Sequence, residues 1–209
     1  HKKGIINCHA GELPDFRGRN ILNWVLINNK SHFAITVHYV DNKVDSGDII
    51  FQKKIPINID DDYGTLLKKS YEICPEVTLK AIDLILENKV KPLKQNLIKS
   101  NPIFCTRRIP GDELIDWNWN SQTIFNFIRA LVSPGPYAQS LLGESYIYFK
   151  KATFLENAPK YIDIPGSILY KDEKGFIVKT GDSYLLINEW ECDNLIRVGD
   201  RLSNGFNNC

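Results

Sequence analysis

The sequence predicts an α/β fold in its first half, followed by a small all-β module of OB type. Three observations carry that prediction. Before residue 90, short apolar runs alternate with helical patterns in the order strand, helix, strand, strand, helix. After Pro92 the character changes, and one helical stripe precedes five short runs set between turns. The 209 residues suffice for one large domain or two small ones.

Each element has a local reason. Gly4-Ile5-Ile6-Asn7-Cys8 is apolar and then turns polar, as at the end of a buried strand. Leu13-Pro14-Asp15-Phe16-Arg17-Gly18 is a loop punctuated by Pro and Gly. From Asn20, a candidate N-cap, Ile21, Leu22, Val25 and Leu26 fall on one helical face. Phe33–Val40 is rich in β-branched and aromatic residues and reads as a strand. Asp41-Asn42-Lys43 is a turn, and Asp48–Ile57 a second strand. Asp60-Asp61-Asp62 caps a helix reaching about Asn88, interrupted or kinked at Pro75. A sheet with mixed strand directions fits this order.

Lys91 to Pro102 reads as a linker. A helix is expected over Ser121–Val132, with Ile124, Phe125, Phe127, Ile128 and Leu131 as its apolar stripe. Five strands are expected at Ala138–Leu142, Tyr146–Phe154, Ser167–Tyr170, Phe176–Thr180 and Tyr184–Trp190.

Composition excludes several classes. Net charge is +1 and pI about 7.8, so the chain is no strongly basic nucleic-acid coat. It has no apolar run of the roughly 18 residues that a membrane span needs. It begins with His and contains no Met, so it reads as a piece of a longer protein. Cys8, Cys74, Cys105, Cys192 and Cys209 are odd in number and widely spaced. That pattern suits reduced thiols in a cytoplasmic protein and offers no metal-ligand spacing.

Two stretches could carry chemistry. Asn7-Cys8-His9 ends a strand, where open α/β sheets bind ligands. An Asn amide can donate to a developing oxyanion, and an imidazole can move a proton near neutrality. Val44-Asp45-Ser46-Gly47-Asp48 puts a carboxylate on a tight loop between strands, where it could tune an imidazole. Either stretch alone is better read as ordinary loop polarity or turn chemistry.

Taken together, they run Asn7-x-His9, Leu13-Pro14-x-x-Arg17-Gly18, Ile35-Thr36-Val37-His38-Tyr39-Val40, then Asp45-x-Gly47-Asp48. This order resembles the folate-dependent formyltransferases. Arg17-Gly18-Arg19-Asn20-Ile21-Leu22-Asn23-Trp24-Val25-Leu26 is most similar to the branch acting on nucleotide-linked amino sugars. The likeness continues through Cys105-Thr106-Arg107-Arg108, Ile115-Asp116-Trp117, Ile128-Arg129-Ala130, Pro134-Gly135-Pro136, Gly166-Ser167-Ile168-Leu169 and Gly181-Asp182.

The resemblance implies a fold and a set of roles. Residues 1–105 would be the C-terminal half of a Rossmann-like catalytic domain, its first strands missing, and 106–209 an OB-like barrel. Asn7 would polarise the formyl group, His9 would act in proton transfer, and Asp45 would tune His9. The co-substrate would be 10-formyltetrahydrofolate, its pterin beside Asp41, Val44 and Asp45. Arg17, Arg19 and Arg107, with Arg108, are candidates for diphosphate contacts, because Arg suits bidentate phosphate recognition. Their alternative is bracing the loop and making surface pairs. Trp24, Trp117, Trp119 and Trp190 are read as packing residues. No metal and no membrane are implied, and a homodimer is compatible with the branch.

One departure lies just after His9, where Ala10-Gly11-Glu12 replaces the family's usual residues. Glu12 could shape the acceptor pocket or face water. Charge bears on the acceptor. Residues 1–105 carry +3 and residues 106–209 carry −2. A module gripping a tRNA backbone should be basic, so a nucleotide-linked amino sugar is the expected acceptor. Methionyl-tRNA formyltransferase is one alternative. A non-catalytic OB-type binder with a relic transferase half is another.

Overall fold

The computed structural model describes residues 4–100 and 102–205. The chain runs β1 (Ile6–His9), β2 (Arg17–Gly18), α1 (Ile21–Ile27), β3 (His32–Tyr39), β4 (Ile49–Pro56), α2 (Tyr63–Leu86) and β5 (Phe104–Cys105). It continues as α3 (Ser121–Ala130), β6 (Ala138–Leu142), β7 (Ser145–Thr153), β8 (Ile168–Asp172), β9 (Gly175–Lys179), β10 (Tyr184–Cys192) and β11 (Leu202–Ser203). One compact unit takes in the residues up to Val25 together with Lys30–Arg108, and a second holds Leu26–Asn29 and the residues from Ile109 onward.

In the first unit, β1, β3 and β4 form a sheet with β3 at its centre. Both pairings are antiparallel, which corrects the expected mixture of directions. The chain re-enters β3 beside the end of β1, where His9 pairs with Thr36, and a short loop returns β3 to β4. β2 pairs with β5 in a two-residue parallel ladder. β3 has six consecutive buried residues, because it is central and covered on both faces.

α2 packs on β3 and β4 and buries Leu66, Ser70, Val77 and Ala81. Asp62 caps it by accepting from the Thr65 N–H (2.8 Å), while the Thr65 hydroxyl oxygen accepts from the Asp62 N–H (2.9 Å). The helix continues through Pro75 without the expected interruption. The N–H that Pro75 lacks would have served Tyr71, an exposed residue whose carbonyl water can reach.

Two further readings need correction. Asn20 precedes α1 but does not cap it with its side chain in the usual extended conformation. Its φ is +54°, and its Oδ1 accepts from the Arg108 N–H at 3.1 Å. The stretch 91–102 is more than a linker. Leu93 bridges to Ile49, and a buried Gln95 opens a 3-10 turn, Gln95–Leu97.

In the second unit the strands form one sheet in the order β11-β6-β7-β10-β9-β8. The five expected strands are all present, and β11 is a sixth that two residues were too few to reveal. A Ser167–Arg201 bridge joins the two ends, so the sheet curls on itself. α3 packs against β7 and β10. Trp117 is buried and stacks edge-on to Phe149, and Trp190 does so on Phe176.

Cys8, Cys74, Cys105 and Cys192 are free thiols, with Cys8 Sγ 3.6 Å from Cys74 Sγ. Cys209 lies outside the described residues. No helix among the described residues is long and apolar enough to cross a membrane.

Candidate active site

The register of β1 on β3 builds the site. Asn7 lies directly opposite His38, Cys8 opposite Val37, and His9 opposite Thr36. Paired residues on adjacent strands project to one side of a sheet, and neighbours along a strand alternate. Asn7, His9, Thr36 and His38 therefore share one face. Cys8 points the other way, to Cys74 on α2.

Asp45 enters this face from the β3–β4 loop. Its Oδ2 stands 3.7 Å from His9 Nδ1, and its Oδ1 3.6 Å from His38 Nε2. Oδ2 also accepts from the Gly18 N–H at 2.9 Å, which fixes the carboxylate against the Arg17-Gly18 strand. Asp45 itself adopts a left-handed φ of +49°.

Hydrogen bonds assign the ring nitrogens. His9 Nε2 donates to the Phe16 carbonyl (2.9 Å), so in the neutral ring Nδ1 carries the lone pair and faces Asp45. His38 Nδ1 donates to the Tyr39 carbonyl (2.7 Å), and its Nε2 accepts from the Asn7 amide N–H at 3.3 Å. That acceptor orients the Asn7 carboxamide and leaves its second N–H for a ligand. Asn7 is exposed, so that N–H is accessible.

His9 is 8 % exposed. Burial lowers its pKa below the usual imidazole value; the Phe16 carbonyl and Asp45 act in the opposite direction, and His38 adds to the lowering. The ring is thus neutral near pH 7 and able to take a proton. The expected Asn7, His9 and Asp45 stand together here. His38 is a buried fourth member whose role no spacing rule revealed, since in sequence it is one residue of a strand.

Gly11 makes room for His9. A Cβ at that position would lie 2.4 Å from His9 Nε2 and 2.7 Å from the Phe16 carbonyl oxygen. Glu12 neither faces open water nor stands alone. It pairs with Lys54 and with His32 Nε2 (2.7 Å). Burial raises its carboxyl pKa, but the hydrogen bonds to Lys54 and His32 outweigh it and hold it low.

The candidate ligand contacts are placed differently from one another. Asp41 and Val44 are exposed on the β3–β4 loop. The Asp41 carboxylate accepts from the Ser46 hydroxyl and the Lys43 N–H, which lower its pKa and shape the loop. Arg19 and Arg107 are exposed, whereas Arg17 is half-buried. Arg17 Nη2 donates to a side chain of its own unit, Gln95, and its guanidinium lies over Phe104. That engagement matches the bracing alternative.

A cleft of about 520 Å³ in this unit is lined by Glu12, Pro14, Asp15, Gln52, Lys54 and Leu93, among others, but not by Asn7, His9 or Asp45. The Asn7, His9 and Asp45 cluster stands apart from that cleft, with Asn7 exposed. Among the described residues no group of three or more His, Cys, Asp or Glu side chains is placed to hold a metal ion.

Residues 1–82 match the family model described as Formyl transferase, and residues 109–198 that described as Formyl transferase, C-terminal domain. The methionyl-tRNA formyltransferase of Listeria monocytogenes is 35% identical over 187 residues, 89% of this chain and 58% of that one. The bifunctional polymyxin resistance protein ArnA of Wigglesworthia glossinidia brevipalpis is 36% identical over 176 residues, 80% of this chain and 25% of that one. The N-formyltransferase of Helicobacter canadensis, solved with folinic acid and dTDP-3-aminofucose, has a TM-score of 0.70 at 25% identity, covering 90% of this chain and 66% of its own. The chain thus spans less than two thirds of the length of these relatives.

Proposed function

The chain belongs to the formyltransferase family, and from that premise we propose that it moves a formyl group from 10-formyltetrahydrofolate to the primary amine of a nucleotide-linked amino sugar. The single observation that carries formyl transfer is the convergence of Asn7, His9 and Asp45 on one face of β1 and β3.

The donor supplies an activated formyl group, and the side chains supply the rest. The free Asn7 N–H meets the negative charge that develops on the formyl oxygen. Neutral His9 takes the proton of the attacking amine at Nδ1, the nitrogen facing Asp45, and passes it to N10 of the leaving tetrahydrofolate as the bond from the formyl carbon to N10 breaks. The Asp45 carboxylate stabilises the intervening imidazolium across 3.7 Å. The Asp41–Asp45 loop stands beside this centre and is the surface on which the pterin rests in this reading.

Two observations favour the amino sugar. Residues 106–209 carry a net −2, which suits tRNA poorly. The chain also shares its fold with an N-formyltransferase solved with a dTDP-linked amino sugar. Methionyl-tRNA is the second reading, favoured by the 35% identity to the Listeria protein.

The deciding experiment follows tetrahydrofolate release by the full-length protein with UDP- and dTDP-linked amino sugars and with methionyl-tRNA. His9→Ala and Asp45→Ala serve as controls. Turnover with one amino sugar, lost in both variants, is the expected result. Turnover with methionyl-tRNA alone selects the second reading. Turnover with neither rejects both acceptors.

A further inference from the structure

Gln95 lies 50 residues beyond Asp45, in the stretch that reads as a linker, yet it is 4 % exposed. Its amide nitrogen donates to the Asp45 carbonyl at 2.9 Å and to the Gly47 carbonyl at 2.7 Å. Its oxygen accepts from Arg17 Nη2 at 2.6 Å. Two carbonyls demand the NH₂ group and one guanidinium demands the oxygen, so the carboxamide has a single orientation.

These bonds reach both sides of the Asp45 carboxylate. On one side is the Arg17-Gly18 strand, whose Gly18 N–H donates to Asp45 Oδ2. On the other is the loop from Asp45 to Gly47, which holds Asp45 at a positive φ. An L residue there is disfavoured unless its surroundings hold it. The two loop carbonyls have one buried side-chain donor group in common, the Gln95 amide.

We propose that Gln95 is the positioning residue of the site, setting where the Asp45 carboxylate stands relative to His9 and His38. It touches no reacting atom and acts through the backbone of Asp45 and Gly47. This rests on the formyl-transfer reading for its kinetic consequence, but not for its structural one.

The test uses Gln95→Leu and Gln95→Glu in the full-length protein, with two readouts. The first is steady-state kinetics. Displacement of a catalytic group by about 1 Å can cost up to roughly 100-fold, so kcat should fall about 10- to 100-fold in both variants, with the KM values little changed. Gln95→Glu keeps an oxygen for Arg17 but sets a carboxylate against two carbonyls. It therefore separates the Arg17 contact from the loop contacts, and it keeps the test open should Gln95→Leu fail to fold.

The second readout is the NMR titration of the His9 imidazole, which needs no turnover. The groups facing His9 are the Phe16 carbonyl, Asp45 and His38. Asp45 raises the His9 pKa, so its retreat should lower that value further in both variants. Wild-type kcat with an unmoved His9 titration would overturn the proposal. So would Gln95→Glu matching the wild type, because Arg17 alone would then be its partner of consequence. A wild-type enzyme with no formyl transfer would sink the functional reading, and the His9 titration would still decide for or against Gln95.

Discussion

His9 Nδ1 stands 3.7 Å from Asp45 Oδ2, beyond hydrogen-bonding distance but close enough for the carboxylate to favour an imidazolium. Burial works against that charge, and the net pKa shift is downward. The pair is therefore poised with a neutral base beside a waiting counter-charge.

This predicts a pH signature in both activity and stability. Activity should be level from pH 7 to 8 and fall as pH drops below the ordinary imidazole range, when His9 takes a proton. Stability follows the same group. Well above pH 6.5, His9 is neutral whether the chain is folded or not. Below that, the unfolded chain binds a proton that the folded chain resists, so folding weakens until pH passes the folded pKa. His9→Gln should flatten that part of a melting-temperature profile between pH 7 and 5.

His38 holds Asn7 by accepting its amide N–H at 3.3 Å. Replacing it by Ala removes that acceptor and frees the carboxamide to rotate. An oxyanion donor is typically worth about 100-fold or more in kcat. A donor that remains but is misaligned should cost less, about tenfold. Steady-state rates of His38→Ala against Asn7→Ala measure the two, and the Asn7 variant should be the slower.

Gly47 lies against the backbone of Tyr39. An added Cβ would fall 1.8 Å from the Tyr39 carbonyl oxygen, so the loop must shift. Gly47→Ala should destabilise the fold by about 1–3 kcal/mol. It should also lower kcat, because the loop carries Asp45. Urea unfolding and kinetics on one preparation test both.

Asp182 secures the first turn of α3 from a distance in sequence. Its Oδ1 accepts from the Ser121 N–H (2.8 Å) and the Ser121 hydroxyl (2.9 Å). Burial raises its carboxyl pKa, but these bonds outweigh it and hold it low. Stability from Asp182 is thus present above the ordinary carboxylate range and is lost as pH falls through the folded value. Asp182→Ala should cost about 1–2 kcal/mol at pH 7, comparable to losing a helix cap. Chemical unfolding checks it, with the difference shrinking in acid.

Sequence by itself determined the elements and singled out the three side chains proposed for the chemistry. Apolar periodicity located α2, α3 and five strands of the second unit, because burial of one face leaves a regular imprint along the chain. Asn7, His9 and Asp45 stand out in the sequence because the order of their motifs, which resembles that of the formyltransferases, needs no coordinates. Tertiary structure alone decided how these parts meet. The antiparallel register of β1 on β3 depends on which strand lies next to which, and it sets His38 beside Asn7. Gln95 left no imprint, since one amide in a polar stretch has no period and its partners lie 48 to 78 residues away. Arg17 by residue type suits either a phosphate or the bracing of its loop, and only the fold shows its Nη2 donating to Gln95 and its guanidinium over Phe104. Local patterns report what each segment buries, whereas long-range hydrogen bonds, visible only in the folded chain, report what each side chain holds.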